Sequence, residues 1–100
     1  MEVKITNENF ESLKSGEQPL VVDFWATWCG PCRMLGPVIA QIAEERTDVV
    51  VGKVNVDEEG ALAARYGIEA IPTVIVFKNG EISARSMGFR PKEAIEELLN

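Results

Sequence analysis

The sequence predicts an α/β fold, with a central mixed β-sheet flanked by helices on both faces. Apolar segments typical of buried strands alternate with segments of helical periodicity along the chain. This alternation predicts parallel strands joined by crossover helices. Near the carboxyl end, two strand-like segments flank Asn79 and Gly80, a strong hairpin signal. The hairpin adds antiparallel strands, and the predicted element order is βαβαβαββα.

The strand predictions depend on apolar content and on the turn residues that bound each run. Residues 20–25 and 49–56 are apolar runs, as expected of strands buried on both faces of a sheet. The hairpin signal fixes the last two strands on either side of its turn. In chain order, strands are predicted over residues 2–5, 20–25, 49–56, 73–77 and 81–87.

The helix predictions depend on apolar spacing and on residues that start or end helices. Gly16 ends the first helix, Gly67 closes the third, and Pro91 suits the first turn of the last. The second helix has the strongest periodicity, and Pro37 inside it predicts a kink. In chain order, helices are predicted over residues 7–14, 32–46, 58–66 and 93–99.

Length and charge restrict the possible functions. A chain of 100 residues with 46% hydrophobic residues predicts one domain over residues 1–100. Its net charge of −6 argues against a nucleic-acid surface. No apolar stretch has the length of a signal peptide or a membrane span, so we expect a cytoplasmic protein in a reducing compartment. A mature secreted form without its leader is the alternative.

Both cysteines lie in the run Trp28-Cys29-Gly30-Pro31-Cys32, between a predicted strand and a predicted helix. A C-x-x-C in this context predicts a dithiol redox site. The dipole and the free N–H groups at a helix N-terminus favour the thiolate, which is the form that attacks disulfides.

Three other interpretations of this pair remain. Zinc normally needs four N or S ligands, and the chain has two Cys and no His. A disulfide that only stabilises the fold would contribute about 2 kcal/mol across so short a loop, against about 4.7 kcal/mol across a long one. The third alternative is a pair of inert thiols.

Motifs along nearly the whole chain resemble the thioredoxin family. The active-site segment over residues 23–34 carries the strongest similarity, and the other matching pieces follow in family order. These pieces are Pro37, residues 53–57, residues 66–68, residues 71–73, residues 77–80 and Gly88. The resemblance implies the thioredoxin fold and a thiol-disulfide oxidoreductase that reduces protein disulfides.

The resemblance also implies roles at the dithiol. Cys29, expected to be the more exposed thiol, would be the nucleophile that attacks a target disulfide, and Cys32 would resolve the mixed disulfide. The Gly-Pro pair between them is similar to that of reductants in the family. The implied target-binding surface consists of Trp28, Gly30, Pro31, Ile71, Pro72 with a cis peptide bond, and Gly88. For Ile71 the alternative is plain core, and for Gly88 it is a strand bulge.

Asp23 lies inside an apolar strand, where burial is expected to raise its pKa. As in similar proteins, it would serve as the general base that takes the proton from Cys32. The alternative is an Asp at a strand edge that accepts hydrogen bonds from backbone N–H groups. Lys53 matches the family lysine beside this carboxylate, and its alternative is a surface lysine with a buried stem.

The resemblance implies no cofactor and no metal in the chain itself. It implies two kinds of partner, namely target proteins with disulfides and a flavin- and NADPH-dependent thioredoxin reductase that recharges the dithiol. We expect a monomer that binds neither nucleic acid nor membrane. Two other functions remain: a disulfide oxidant or isomerase, with a higher reduction potential, and a binding scaffold whose activity does not need the thiols.

Overall fold

A mixed five-stranded sheet forms the centre of the computed structural model, which describes residues 2–100. Its strands are β1 (Glu2–Lys4), β2 (Leu20–Trp25), β3 (Val50–Asn55), β4 (Thr73–Lys78) and β5 (Glu81–Met87). They lie in the order β1-β3-β2-β4-β5. The pairs β1–β3 and β2–β3 are parallel, whereas β2–β4 and β4–β5 are antiparallel. The predicted mixed sheet is therefore confirmed.

The helices follow the predicted order with shifted ends. They are α1 (Phe10–Lys14), α2 (Gly30–Glu45), α3 (Gly60–Arg65) and α4 (Lys92–Glu97). α1 begins later than predicted because the preceding residues form a turn, in which Asn9 Oδ1 accepts from the Thr6 N–H. α2 begins earlier than predicted, at Gly30, and continues through Pro37. The kink predicted there stays a prediction.

Helices cover both faces of the sheet, because successive side chains of a strand point to opposite faces. α2 and α4 cover one face, where Val21, Val51 and Val74 are buried with Leu35 and Ile95. The other face carries α1 and α3 on a second apolar cluster. Its buried members are Ile5, Phe10, Leu20, Val22, Phe24, Val54, Leu62, Ile75 and Phe77.

The dithiol lies just beyond the carboxyl end of the central strand β2. β2 leads through a short loop into α2, so the C-x-x-C lies where the strand ends and the helix begins. Two residues beyond Val21, Asp23 lies on the face covered by α2 and is paired in register with Lys53 of β3. Within residues 2–100, no helix is long and apolar enough to cross a membrane.

Candidate active site

Cys29 and Cys32 form a disulfide at the N-terminus of α2. Cys29 is the N-cap residue, and its Sγ accepts a hydrogen bond from the Cys32 N–H at 3.2 Å. Because α2 begins at Gly30, both sulfurs lie at the positive end of the helix dipole. This position favours a thiolate on Cys29 when the pair is reduced.

The two cysteines are almost equally buried in the disulfide form, with 5% of Cys29 and 4% of Cys32 exposed. Exposure therefore hardly separates the two sulfurs in this form, and the expectation that Cys29 is the more exposed thiol stays a prediction. Both cysteines are buried because they pack together with Ala26 in one small apolar cluster. Side chains that contact this cluster are Trp25, Val56 and Ile71. Helix position, rather than exposure, distinguishes the two sulfurs.

The loop before β4 brings Ile71 to the dithiol. The Ile71–Pro72 peptide bond is cis. The Ile71 carbonyl oxygen lies 3.7 Å from Cys29 Sγ, and the Gly88 N–H donates to the Pro72 carbonyl oxygen at 2.7 Å. These contacts bring Cys29, Ile71, Pro72 and Gly88 together, with Pro72 itself buried.

The alternatives for two of these residues do not fit their positions. Ile71 is only half-buried, so it is not plain core. Gly88 follows the last residue of β5, and the irregularity between β4 and β5 lies at Val76 and Phe77 instead. Gly88 is therefore not a strand bulge.

Trp28, Gly30 and Pro31 form the exposed side of the site. Trp28 is 66% exposed, and its Nε1–H donates to Asp57 Oδ2 at 2.8 Å. Asp57 follows β3, and its sequence context predicts no role for it. The contact joins residues 29 positions apart, so no local pattern could have revealed it.

Asp23 is a buried carboxylate in the middle of the sheet. Only 1% of it is exposed, and neither carboxylate oxygen has a hydrogen-bond partner within residues 2–100. The alternative of an edge carboxylate bonded to backbone N–H groups is therefore wrong, since β2 lies between β3 and β4. Burial raises the pKa of Asp23 from 3.8 to about 6, and the positive charge of Lys53 partly opposes this rise.

Lys53 is the cation nearest to this carboxylate among the ion pairs of the described chain. Its Nζ lies 3.8 Å from Asp23 Oδ2, which is an ion-pair distance beyond hydrogen-bond range. The same Nζ lies 5.0 Å from the centroid of the Trp25 ring. Because 26% of its side chain is exposed, Lys53 contacts solvent as well as the buried carboxylate.

A cleft of about 310 Å³ connects Lys53 with the second cysteine. Cys32 and Gly36 of α2 line it together with Lys53 and Trp25. The cleft has room for water, and it is lined by Lys53 but not by Asp23 itself. Within residues 2–100, no group of three or more His, Cys, Asp or Glu is arranged to hold a metal ion.

Comparisons with known proteins agree with this geometry. A family model described as "Thioredoxin" matches residues 1–100. A thioredoxin of Alicyclobacillus acidocaldarius subsp. acidocaldarius is 46% identical over 96 residues, covering 95% of this chain and 91% of that protein. A thioredoxin of Bacillus subtilis (strain 168) is 44% identical over 99 residues, covering 98% of this chain and 94% of that protein.

A solved structure shows the same fold. A mutant thioredoxin from Halobacterium salinarum NRC-1 superposes with a TM-score of 0.90 at 36% identity, covering 97% of this chain and 86% of that one. The sequence matches, the shared fold and the Cys29–Cys32 disulfide lead to one conclusion. The chain belongs to the thioredoxin family.

Proposed function

We propose that this thiol-disulfide oxidoreductase works as a reductant of protein disulfides, with Cys29 as the nucleophile and Cys32 as the resolving thiol. One observation carries the proposal: the Cys29–Cys32 disulfide lies at the N-terminus of α2, beside the Ile71 carbonyl. A dithiol in this position can donate two electrons and close into the disulfide seen here.

The first step forms a mixed disulfide with the target. The Cys29 thiolate attacks one sulfur of the target disulfide, and the other target sulfur leaves as a thiolate that takes a proton. An extended target segment pairs with the backbone of Ile71 and lies over the exposed side of Trp28, Gly30 and Pro31. This placement is supported by the 3.7 Å distance between Cys29 Sγ and the Ile71 carbonyl oxygen.

The second step releases the reduced target. Asp23 accepts the proton of Cys32 through water in the cleft, and the Cys32 thiolate attacks Cys29 Sγ. The bond between Cys29 and the target breaks, and the target sulfur that Cys29 had attacked leaves as a thiolate and is protonated, so two electrons have passed from the dithiol to the target. The cleft that Cys32 and Lys53 share, and the buried Asp23 beyond it, support this path. The positive charge of Lys53 favours the charged form of Asp23, which is the form that accepts a proton.

The family implies that a thioredoxin reductase and disulfide-bearing targets are the partners. We further infer that the reductase is flavin- and NADPH-dependent and that the chain acts as a monomer in the cytoplasm. Residues of one chain complete the dithiol and the proposed target surface, which supports a monomer. A reducing compartment supports continuous recharging of the oxidised pair. The chain itself is proposed to bind no cofactor, metal, nucleic acid or membrane.

Reduction of insulin by dithiothreitol tests the reductant function. The native chain is expected to accelerate the precipitation of the insulin chains strongly, and Cys29→Ser is expected to remove the acceleration. Thermal unfolding of both proteins verifies that the variant is folded. A folded native chain with titratable thiols that gives no acceleration over dithiothreitol would contradict the proposal.

A further inference from the structure

Arg85 of β5 forms hydrogen bonds to the start of the loop that leads to Ile71. Its guanidinium donates to the carbonyl oxygens of Tyr66 at 2.6 Å and of Gly67 at 3.1 Å. These carbonyls lie where α3 ends and the loop over residues 67–72 begins. We propose that Arg85 is a positioning residue for target binding, because it fixes the start of the loop that presents Ile71 to the target backbone.

The end of α3 leaves these two carbonyls available to Arg85. The N–H groups of Gly67 and Ile68 donate to the carbonyls of Ala64 and Ala63, which is a Schellman arrangement. Gly67 has the positive φ, 61°, that this arrangement favours. The motif satisfies carbonyls inside the helix but not those of the capping residue and of the glycine. Arg85 binds both of the latter with one planar group that carries several donors.

The far end of the loop is held by other bonds. Thr73 Oγ1 donates to the Ala70 carbonyl oxygen at 2.6 Å. The Gly88 N–H, just after β5, donates to the Pro72 carbonyl oxygen at 2.7 Å. Arg85 therefore anchors the start of the loop, and these bonds anchor its end. β5 contributes at both ends, through its own Arg85 and the glycine that follows it.

This inference rests on the proposed function, in which the target backbone pairs with Ile71. Such pairing is strongest when the loop already has its bound conformation before the target arrives, because the entropic cost of ordering the loop on binding would weaken the complex. Loss of Arg85 is therefore expected to weaken target binding and to leave thiol exchange at Cys29 intact. A small disulfide without a peptide backbone does not need the loop and should react as before.

Steady-state kinetics with two substrates separate these effects. Insulin represents an extended polypeptide, and hydroxyethyl disulfide represents a substrate without a backbone. Arg85→Ala is expected to raise the KM for insulin about three- to tenfold, the size of effect expected for an ordinary hydrogen bond at an exposed position, with kcat unchanged. The rate with hydroxyethyl disulfide should stay the same. Arg85→Lys, which keeps a cationic donor, should recover part of the affinity.

Arg46→Ala is the matched control. Arg46 donates to both carboxylate oxygens of Asp48 at 2.8 Å, just beyond the carboxyl end of α2 and away from the dithiol. Its loss should change the kinetics of neither substrate. If Arg85→Ala does not fold, the comparison of Arg85→Lys with the native chain decides.

Two results would overturn the inference and leave the proposed function standing. The first is an unchanged KM for insulin in the Arg85 variants. The second is an equal loss of rate with insulin and with hydroxyethyl disulfide, which would show an effect on the dithiol instead. A native chain that fails to reduce insulin would overturn the proposed function itself.

Discussion

Lys53 Nζ lies 3.8 Å from Asp23 Oδ2, so the buried carboxylate faces a cation without a hydrogen bond to it. Within residues 2–100, no group donates a hydrogen bond to either oxygen of Asp23. Loss of hydration is therefore only partly compensated, and burial raises the pKa of this carboxyl to about 6. A carboxyl with such a pKa can hold or release a proton near neutral pH, as a general base for Cys32 must.

Asp23 should destabilise the folded protein at neutral pH. Its pKa is 3.8 in the unfolded chain and about 6 in the folded one, so the folded state binds the proton more tightly. The stability that the protonated Asp23 gives the folded state is complete below the unfolded pKa, and it is lost as the pH rises through the folded pKa of about 6. The free energy of unfolding of Asp23→Ala, relative to that of the native chain, should therefore rise by on the order of 3 kcal/mol between about pH 3.5 and about pH 8.

Urea unfolding of the oxidised proteins at the two pH values measures this gain. The change in side-chain volume costs the same at both pH values, so the difference isolates the titration of Asp23. A stability difference between variant and native chain that does not depend on pH would contradict the raised pKa.

The same substitution should slow the release of reduced target. Without Asp23, the Cys32 proton has no nearby base, and the loss of general base catalysis typically costs about 100-fold or more. In the native chain this step should accelerate as the pH rises through about 6. Quenched-flow kinetics of a single turnover would detect both effects. An Asp23→Ala variant with the native rate and the native pH profile would exclude Asp23 as the base.

Lys53→Met should raise the pKa of Asp23 above its native value, because the cation that opposes the effect of burial is gone. Titration of the Asp23 carboxyl by ¹³C NMR measures the shift directly. Lys92→Met is the control, since the partner of Lys92 is Glu45 of α2. A titration of Asp23 that is unchanged in Lys53→Met would show that the 3.8 Å contact has no electrostatic effect.

Gly88→Ala and Gly80→Ala form a matched pair. Their φ angles are +84° and +79°, and a Cβ at either position would meet no atom within 4 Å. Both substitutions should therefore cost a similar amount of stability, about 1–2 kcal/mol, from the backbone conformation alone. Alanine keeps the backbone N–H, but the disfavoured φ would shift the N–H of residue 88 that bonds to Pro72 in the proposed target surface, so only Gly88→Ala should raise the KM for insulin. Equal KM values in the two variants would remove Gly88 from that surface.

Local patterns predicted most of the fold. Apolar runs and end signals fixed the element order, and the hairpin at Asn79 and Gly80 fixed the antiparallel part of the sheet. The start of α2 was misplaced because Gly30 and Pro31 have low intrinsic helix propensity, although proline suits a first helical turn. The correction matters, because it makes Cys29 the N-cap residue.

The candidate site was predicted less completely. Residue type and strand context revealed Asp23, whereas the cis bond before Pro72 came from the family resemblance and not from local pattern. The bond from Trp28 to Asp57 and that from Arg85 to Tyr66 join residues 29 and 19 positions apart. Such contacts arise when the loops meet in the folded chain, and a local pattern does not contain them.

Trapping the mixed disulfide shows which cysteine attacks the target. Cys32→Ser is incubated in reduced form with insulin whose disulfides are intact, and mass spectrometry locates any adduct. We expect insulin to become linked to Cys29 in this variant, and we expect no comparable adduct in the matched Cys29→Ser variant. An adduct on Cys32 in Cys29→Ser, with none on Cys29 in Cys32→Ser, would contradict the assignment of nucleophile and resolving thiol.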